Sequence, residues 1–459
     1  MPDKPIKISD NLLIRHLKTR VHDTNFMRRS VQLRNTLTHL HKDIPLLKQT
    51  EVCYELWEVL FKEAMLYLRR SDKREFFCAD DTIGEDTLIE YFKEWVHFED
   101  LLYASYKFYR DHTIHTLRIY LLGDFCLTKT SFGGFDNLVS SVTSPAGEED
   151  DIFKRIPKGI KEAMWCVIAL SHDLGEPISR INEINAKIRR MVKNFGELGV
   201  QDFTFGFPPL SRAIPSRLLE IISSRITRKP SEDGSQYYAH KQPKFEIKFV
   251  KSFESYNHGL MSALLLYRTL LYFLETDFVN ETTGSGMKDK DAENFVIRRE
   301  MLRAVACHDI TELYHVRTNQ LAMLLILFDE LQEWDRPVPK NLFTNIQRSE
   351  VILRKFSAER IFFTIKFDDV KEAENYFKFK AQRFISFLHY GTAPNQDRRI
   401  LIRFDFEVIK SDRKGIFIHR SPRKKDFLAY FGKKSIIRTP KFQKKLRKLQ
   451  RSFPKPTIK

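Results

Sequence analysis

Apolar residues recur at helical spacing through most of the first 340 positions. Residues 11–17 (Asn-Leu-Leu-Ile-Arg-His-Leu) and 52–61 place leucines, aromatics and valines three and four apart, which predicts helices up to about residue 95. Phe76 to Asp86 reads as a polar break. The pattern returns from Tyr91, and the stretch 110–123 puts His115, Ile119 and Leu122 on one helical face. Ser131 to Asp151 carries Gly-Gly, Pro-Ala-Gly and a run of acids, the chemistry of a loop. A following apolar run, Met164 to Leu170, leads into His172-Asp173. Gly175 and Pro177 then supply helix-stop signals. Phe203 to Pro215, Thr227 to Lys244 and Gly284 to Asp291 read as loops. Further helices carry His258, His308-Asp309 and Asp329, the last within Leu321 to Asp335.

The pattern changes at Arg336-Pro-Val-Pro. Residues 360–367 and 400–409 are rich in β-branched and aromatic residues and read as strands, with a helix over 370–388 between them. The expected organisation is a helical N-terminal extension (1–94), an all-helical core (95–340), a small α+β module (341–431) and a basic tail (432–459). The fold class is therefore mainly α.

The chain has 459 residues, 42% of them hydrophobic and 38 of them Phe, enough for a sizeable core. Its net charge of +17 is concentrated at one end. Residues 432–459 hold eleven Lys or Arg and no acid, so the rest carries only +6. Three readings of that tail stand: a solvated terminus, a nucleic-acid contact, or attraction to acidic lipid through Phe442, Leu446 and Leu449. Cysteines fall at 53, 78, 126, 166 and 307 without a Cys-x-x-Cys pair, which fits reduced thiols and a cytoplasmic setting. The first residues lack a secretory apolar stretch. The run Leu260 to Leu274 is interrupted by Arg268 and too short to span a bilayer, so no transmembrane segment is expected.

Six ionisable residues sit where apolar helices call for core residues: His115, His172, Asp173, His258, His308 and Asp329. A buried carboxylate such as Asp329 is expensive unless paired or bound to metal, and imidazole with carboxylate is a usual ligand set for divalent ions. In their order and local contexts (His-Thr-Leu-Arg-Ile, Leu-Ser-His-Asp-Leu-Gly, His-Gly-Leu-Met-Ser-Ala and Leu-Ile-Leu-Phe-Asp-Glu-Leu) these residues resemble the HD-domain superfamily of metal-dependent phosphohydrolases. The resemblance covers about residues 95–340.

The resemblance implies one metal held by His115, His172, Asp173 and Asp329, and a second that shares Asp173 and adds His258 and His308. The ion would be Mn, Fe, Co, Ni or Zn. It also implies hydrolysis of a phosphate ester of a nucleotide or nucleic acid, with Asp173, His112 and Glu176 as the catalytic candidates. Two positions depart from the pattern. Many relatives have Lys or His where Glu176 stands, and some have a second His where Asp309 stands; Asp309 either substitutes for it or faces solvent. Arg180 and Arg317 suit surface ion pairs or phosphate contacts, and Trp334 and Asp335 close the last helix. The alternative function is a non-catalytic module that senses a nucleotide or binds nucleic acid and carries a structural metal.

Overall fold

The computed structural model describes residues 5–41, 44–71, 85–105, 111–141, 148–193, 204, 206, 213–231, 234–270, 286–310, 318–336, 349–367, 373–391, 400–409, 414–421, 426–431 and 434–438. Its helices are α1 (Asp10–Asp23), α2 (Val31–His39), α3 (Thr50–Ser71), α4 (Glu85–Ser105), α5 (Thr113–Lys129), α6 (Glu148–Arg155), α7 (Lys158–Ser171), α8 (Glu176–Ser179), α9 (Ile181–Val192), α10 (Ala213–Ser223), α11 (Pro243–Glu254), α12 (His258–Thr269), α13 (Asp289–Cys307), α14 (Leu321–Leu331) and α15 (Ala373–Gly391). Its strands are β1 (Ile6–Lys7), β2 (Ser224–Ser231), β3 (Gly234–Lys241), β4 (Glu350–Phe356), β5 (Arg360–Phe367), β6 (Ile400–Val408), β7 (Lys414–Ser421), β8 (Asp426–Phe431) and β9 (Lys434–Arg438). The chain is mainly α, with a mixed sheet toward its C-terminal end, as the apolar periodicity predicts.

Helices α5, α7 and α13 are buried on every side. A helix without a solvent face belongs inside a core, and these three carry or lead into the candidate ligands. Several of their charged residues are paired. Arg20 of α1 reaches Asp124 of α5 at 2.9 Å and Glu162 of α7 at 2.9 Å, while His16 meets Asp124 at 2.7 Å. Arg299 is enclosed between Glu149 and Glu300, each at 2.8 Å.

The N-terminal helices belong to the same packing. Helix α3 lies against α7, Trp57 donates to Leu170 O at 3.0 Å, and Tyr91 of α4 donates to Leu174 O at 2.7 Å. Both bonds fall within a few residues of His172-Asp173.

The larger sheet runs β1-β4-β5-β6-β7-β8-β9; β5 and β6 are parallel, and the other neighbours are antiparallel. A parallel pair needs a crossover, and α15 provides it. Ile361, Phe363 and Ile365 of β5 alternate with Phe404 and Phe406 of β6 toward the buried face. There Phe384 of α15 stacks on Phe404 with ring centres 3.9 Å apart.

Several readings need correction. Thr227 to Lys244 is not a loop: β2 and β3 pair in register from Ser224↔Lys241 to Ser231↔Gly234, and α11 follows. Alternation decides it, because Ile226 and Ala239 face one another on the buried side while the flanking residues are polar. Part of 203–215 is helical, since α10 starts at Ala213, and the acids of 148–151 form the first turn of α6. Asp289 likewise already begins α13. Lys434–Arg438, placed in the tail by composition, is strand β9 on the edge of the sheet. The remainder of that tail, Arg317 and residues 76–84 of the polar break lie outside the described residues, and the last two residues of that break, Glu85 and Asp86, already begin α4. Among the described residues no helix is long and apolar enough to cross a membrane.

Candidate metal centre

His172 is the C-cap residue of α7 and His308 the C-cap residue of α13. Each ring turns back on its own helix: Nδ1 of His172 lies 2.9 Å from Ala169 O, and Nδ1 of His308 lies 2.7 Å from Val305 O. A backbone carbonyl only accepts, so both Nδ1 atoms carry the proton and both Nε2 atoms point outward with a lone pair. The His-Asp dipeptide thus works at a helix end, where successive side chains can converge as they could not within a regular turn.

Gly175 permits the approach of α12. It has ordinary negative backbone angles, so a left-handed turn is not what it provides. A Cβ at this position would lie 2.3 Å from His258 O and 2.5 Å from Ser262 N. Its N–H instead donates to Ser262 Oγ at 2.7 Å. His258 opens α12, next to its N-cap Asn257.

The six expected residues come together around Asp173. Its Oδ2 lies 3.3 Å from His172 Nε2 and 3.7 Å from His115 Nε2. Its Oδ1 lies 3.3 Å from His308 Nε2 and 3.6 Å from His258 Nε2. His115 Nε2 meets Asp329 Oδ1 at 3.0 Å, and His258 and His308 face each other Nε2 to Nε2 at 2.9 Å. Two trios, His115–His172–Asp329 and His172–Asp173–His308, have ligand atoms close enough to share an ion. The rings of His115 and His172 are fully buried, whereas the side chains of Asp329, His258 and Asp309 are 21%, 23% and 28% exposed. The cluster therefore opens to solvent on the Asp329–His258 side.

Charge states follow from these contacts. Burial, with the charge of Arg336, pushes His115 down to about 3 and keeps it neutral. Burial also opposes the charge on His258, but Asp309, Glu176 and Asp173 outweigh it and carry that ring up to about 10. Burial raises the Asp329 carboxyl, yet its hydrogen bond with His115 holds it well below the usual carboxylate range.

The weaker candidates divide. Asp309 neither takes a ligand position nor merely faces solvent: its Oδ2 lies 3.1 Å from His258 Nδ1 and accepts from Asn257 Nδ2 at 2.7 Å, so it orients His258. Glu176 is buried, accepts from Arg180 Nε at 2.7 Å and lies 3.6 Å from His258 Nδ1. With one oxygen engaged by Arg180 and the other toward His258, it fits positioning better than proton transfer. Arg180 pairs with Glu176 and Glu183, as the surface-pair reading expects. Trp334 donates to Asp10 Oδ1 at 2.9 Å and covers the core. His112 caps α5 with its ring 6.3 Å from that of His115 and its Nδ1 3.5 Å from Glu99 Oε1, so it stands beside the cluster.

Two contributors escaped the sequence reading. Gln332 places Oε1 2.6 Å from His115 Nδ1, and its Nε2 donates to Trp334 O at 2.9 Å, which fixes the amide. Glu99 accepts from the backbone N–H groups of His112 and Thr113 at 2.8 and 3.3 Å. The usable signal for Gln332 was its position three residues after Asp329, one turn along the same face.

The arrangement can hold a divalent ion through imidazole and carboxylate ligands. No family model, no curated protein and no solved structure matches this chain.

Proposed function

We propose that this chain is a metal-dependent phosphohydrolase of the HD type. His115, His172, Asp173 and Asp329 hold one divalent cation, and Asp173, His258 and His308 hold a second. The proton count around the rings supports this reading. His172 and His308 spend their ring protons on carbonyls, and their Nε2 lone pairs then face Asp173 oxygens at 3.3 Å. Nε2 of His172 makes no hydrogen bond among the described residues. Neutral His115 has one proton for two acceptors, Gln332 Oε1 and Asp329 Oδ1. At His115 and His172 acceptors thus outnumber protons in a buried site, and a cation there would convert those repulsions into bonds. The mixed donor set suits Mn, Fe, Co, Ni or Zn better than Mg.

Cations held this way supply Lewis acidity toward a phosphate and lower the pKa of water toward neutrality. The protein's own residues do the rest. Asp173 offers one oxygen to each half of the cluster. Gln332 and Asp309 fix the rings of His115 and His258, and the Ala169 and Val305 carbonyls fix the other two. His112, steadied by Glu99, stands at the edge of the cluster, where its ring can hold or release a proton. The substrate class is a phosphate ester of nucleotide size.

The test is metal analysis of the purified protein, followed by a phosphate-release screen over nucleotides and single-stranded DNA or RNA. Asp173→Ala should lose bound metal and turnover together. Undiminished turnover in that variant would sink the mechanism. Full metal occupancy with saturable nucleotide binding and no product would make the chain a sensing module instead.

A further inference from the structure

Helix α15 joins the sheet to the candidate metal centre, and its two sides meet different partners. Phe377, Ala381 and Phe384 are fully buried, and Phe384 stacks on Phe404 of the sheet. Lys380 and Arg383, three apart and so on one face, both reach Glu330 of α14, the residue after Asp329. The two cations are not equivalent. Lys380 is buried and directs its three ammonium protons to Glu330 O and Oε2, each at 2.9 Å, and to Glu333 Oε1 at 2.5 Å. Those contacts account for its whole head group, so Lys380 is a brace. The Arg383 side chain is 24% exposed. Its Nε meets Glu330 Oε1 at 2.6 Å, which sets the plane of the guanidinium. Its Nη2 then comes within 3.8 Å of Asp309 Oδ1, close enough for attraction and too far for a hydrogen bond.

We propose that Arg383, carried by the C-terminal module, contacts the phosphate of the substrate at the open side of the metal centre. The proposal deepens the phosphohydrolase reading and rests on it. Asp309 and Asp329 are both partly exposed on that side, and their charges repel an incoming anion. Arg383 sets a positive charge against both. Burial opposes that charge, but Glu330, Asp309 and Asp329 outweigh it and keep the guanidinium protonated. Asp309 is already engaged by His258 Nδ1 at 3.1 Å and by Asn257 Nδ2 at 2.7 Å, so its attraction for Arg383 holds the guanidinium near without clamping it. A planar fork also matches two oxygens of a phosphate, which the ammonium of a lysine does not. Arg383 is anchored through Nε, aimed by the rigid stacking of α15 on the sheet, and partly open to solvent beside the cluster. Those are the properties of a binding residue that is positioned before its ligand arrives.

Full-length protein is titrated in a calorimeter with Mn(II) or Zn(II), and the loaded protein then with orthophosphate. Arg383→Gln, whose amide can still donate to Glu330, should take up the metal with parental affinity and bind orthophosphate more weakly by about tenfold or more, the loss expected of a charge-assisted contact. Lys378→Ala removes the same charge from the exposed side of α15 and should change neither. Circular dichroism checks that each variant is folded. A further measurement needs no variant: in the loaded parent, orthophosphate should slow modification of Arg383 by an arginine-selective dicarbonyl, read by peptide mass spectrometry. Parental phosphate affinity in Arg383→Gln, an equal loss in Lys378→Ala, or no protection of Arg383 overturns the inference and leaves the phosphohydrolase reading standing. So does a loss of metal affinity in Arg383→Gln that matches the loss of phosphate, because the arginine would then only brace the candidate ligands. A loaded parent that binds no orthophosphate overturns it too. A parent that takes up neither metal overturns both the inference and the reading beneath it.

Discussion

Gln332 acts on His115 across 217 positions of sequence through one amide oxygen. Residues that fix a ligand's tautomer typically change metal affinity by about 10–100-fold when removed. Gln332→Ala should show that loss in a titration against a competing chelator while keeping its circular dichroism spectrum, and Gln332→Glu, which retains an acceptor, should recover much of it. Unchanged metal affinity in the alanine variant would show that His115 needs no such support. Asp111 offers a pH test. Its Oδ1 accepts from Ile114 N at 3.2 Å, but its Oδ2 is buried without a partner among the described residues. Burial, with the charge of Glu99, pushes this carboxyl up to about 6. The folded state therefore holds the proton more tightly than the unfolded chain, whose pKa is about 4. Stability from this group is full below about pH 4 and declines as pH rises to about 6. Asp111→Asn keeps the bond to Ile114 and removes the charge. It should be more stable than the parent at pH 7 by on the order of 1–3 kcal/mol, with the gain vanishing below about pH 4. Denaturant melts at several pH values measure this, and a pH-independent difference would refute it. The candidate ligands were legible in sequence because an ionisable group in an apolar stripe is conspicuous. Gln332 and Glu99 were not, because polar residues near helix ends are ordinary and their partners are set by tertiary packing.

Between elements, the narrowest passage is where Gly175 meets α12. A methyl group there would strike the His258 carbonyl and the Ser262 nitrogen, both backbone atoms that cannot swing aside. Gly175→Ala should push α12 away, costing about 1–3 kcal/mol by overpacking and weakening the His258–His308 half of the site more than the His115–Asp329 half. Thermal melts and metal stoichiometry together check this, and a variant with parental stability and full metal would show that the contact is soft. The long helices were readable from periodicity alone, as were β5, α15 and β6. The hairpin was not, because its buried side offers little beyond Ile226, Tyr237 and Ala239 while its outward side reads as a charged loop. Gly175 shows the same limit: its sequence context signals a helix stop, and only packing reveals a close approach.

Across the whole molecule, the sheet is fastened to the candidate metal centre by α15. Lys380 donates to Glu330 Oε2 at 2.9 Å and Arg383 reaches Glu330 Oε1 at 2.6 Å, one residue from Asp329. Arg383 also comes within 3.8 Å of Asp309. The module read from sequence as a separate unit therefore braces the candidate ligands, a relation no local pattern could display. Strand β1 binds the molecule from the other direction. Ile6 pairs with Leu353, Ile8 N donates to Val351 O at 2.8 Å, and Lys7 meets Glu350 across a separation of 343 residues. Synthesis imposes a delay on that pairing. At about 5–20 residues per second, β1 waits roughly 17–70 s for its partner to be made. Nascent chains halted before residue 350 should be clipped readily around residues 5–9 by a protease, and chains halted beyond the sheet should resist. Equal protection in both would mean that the first strand is sheltered by the helices long before β4 exists.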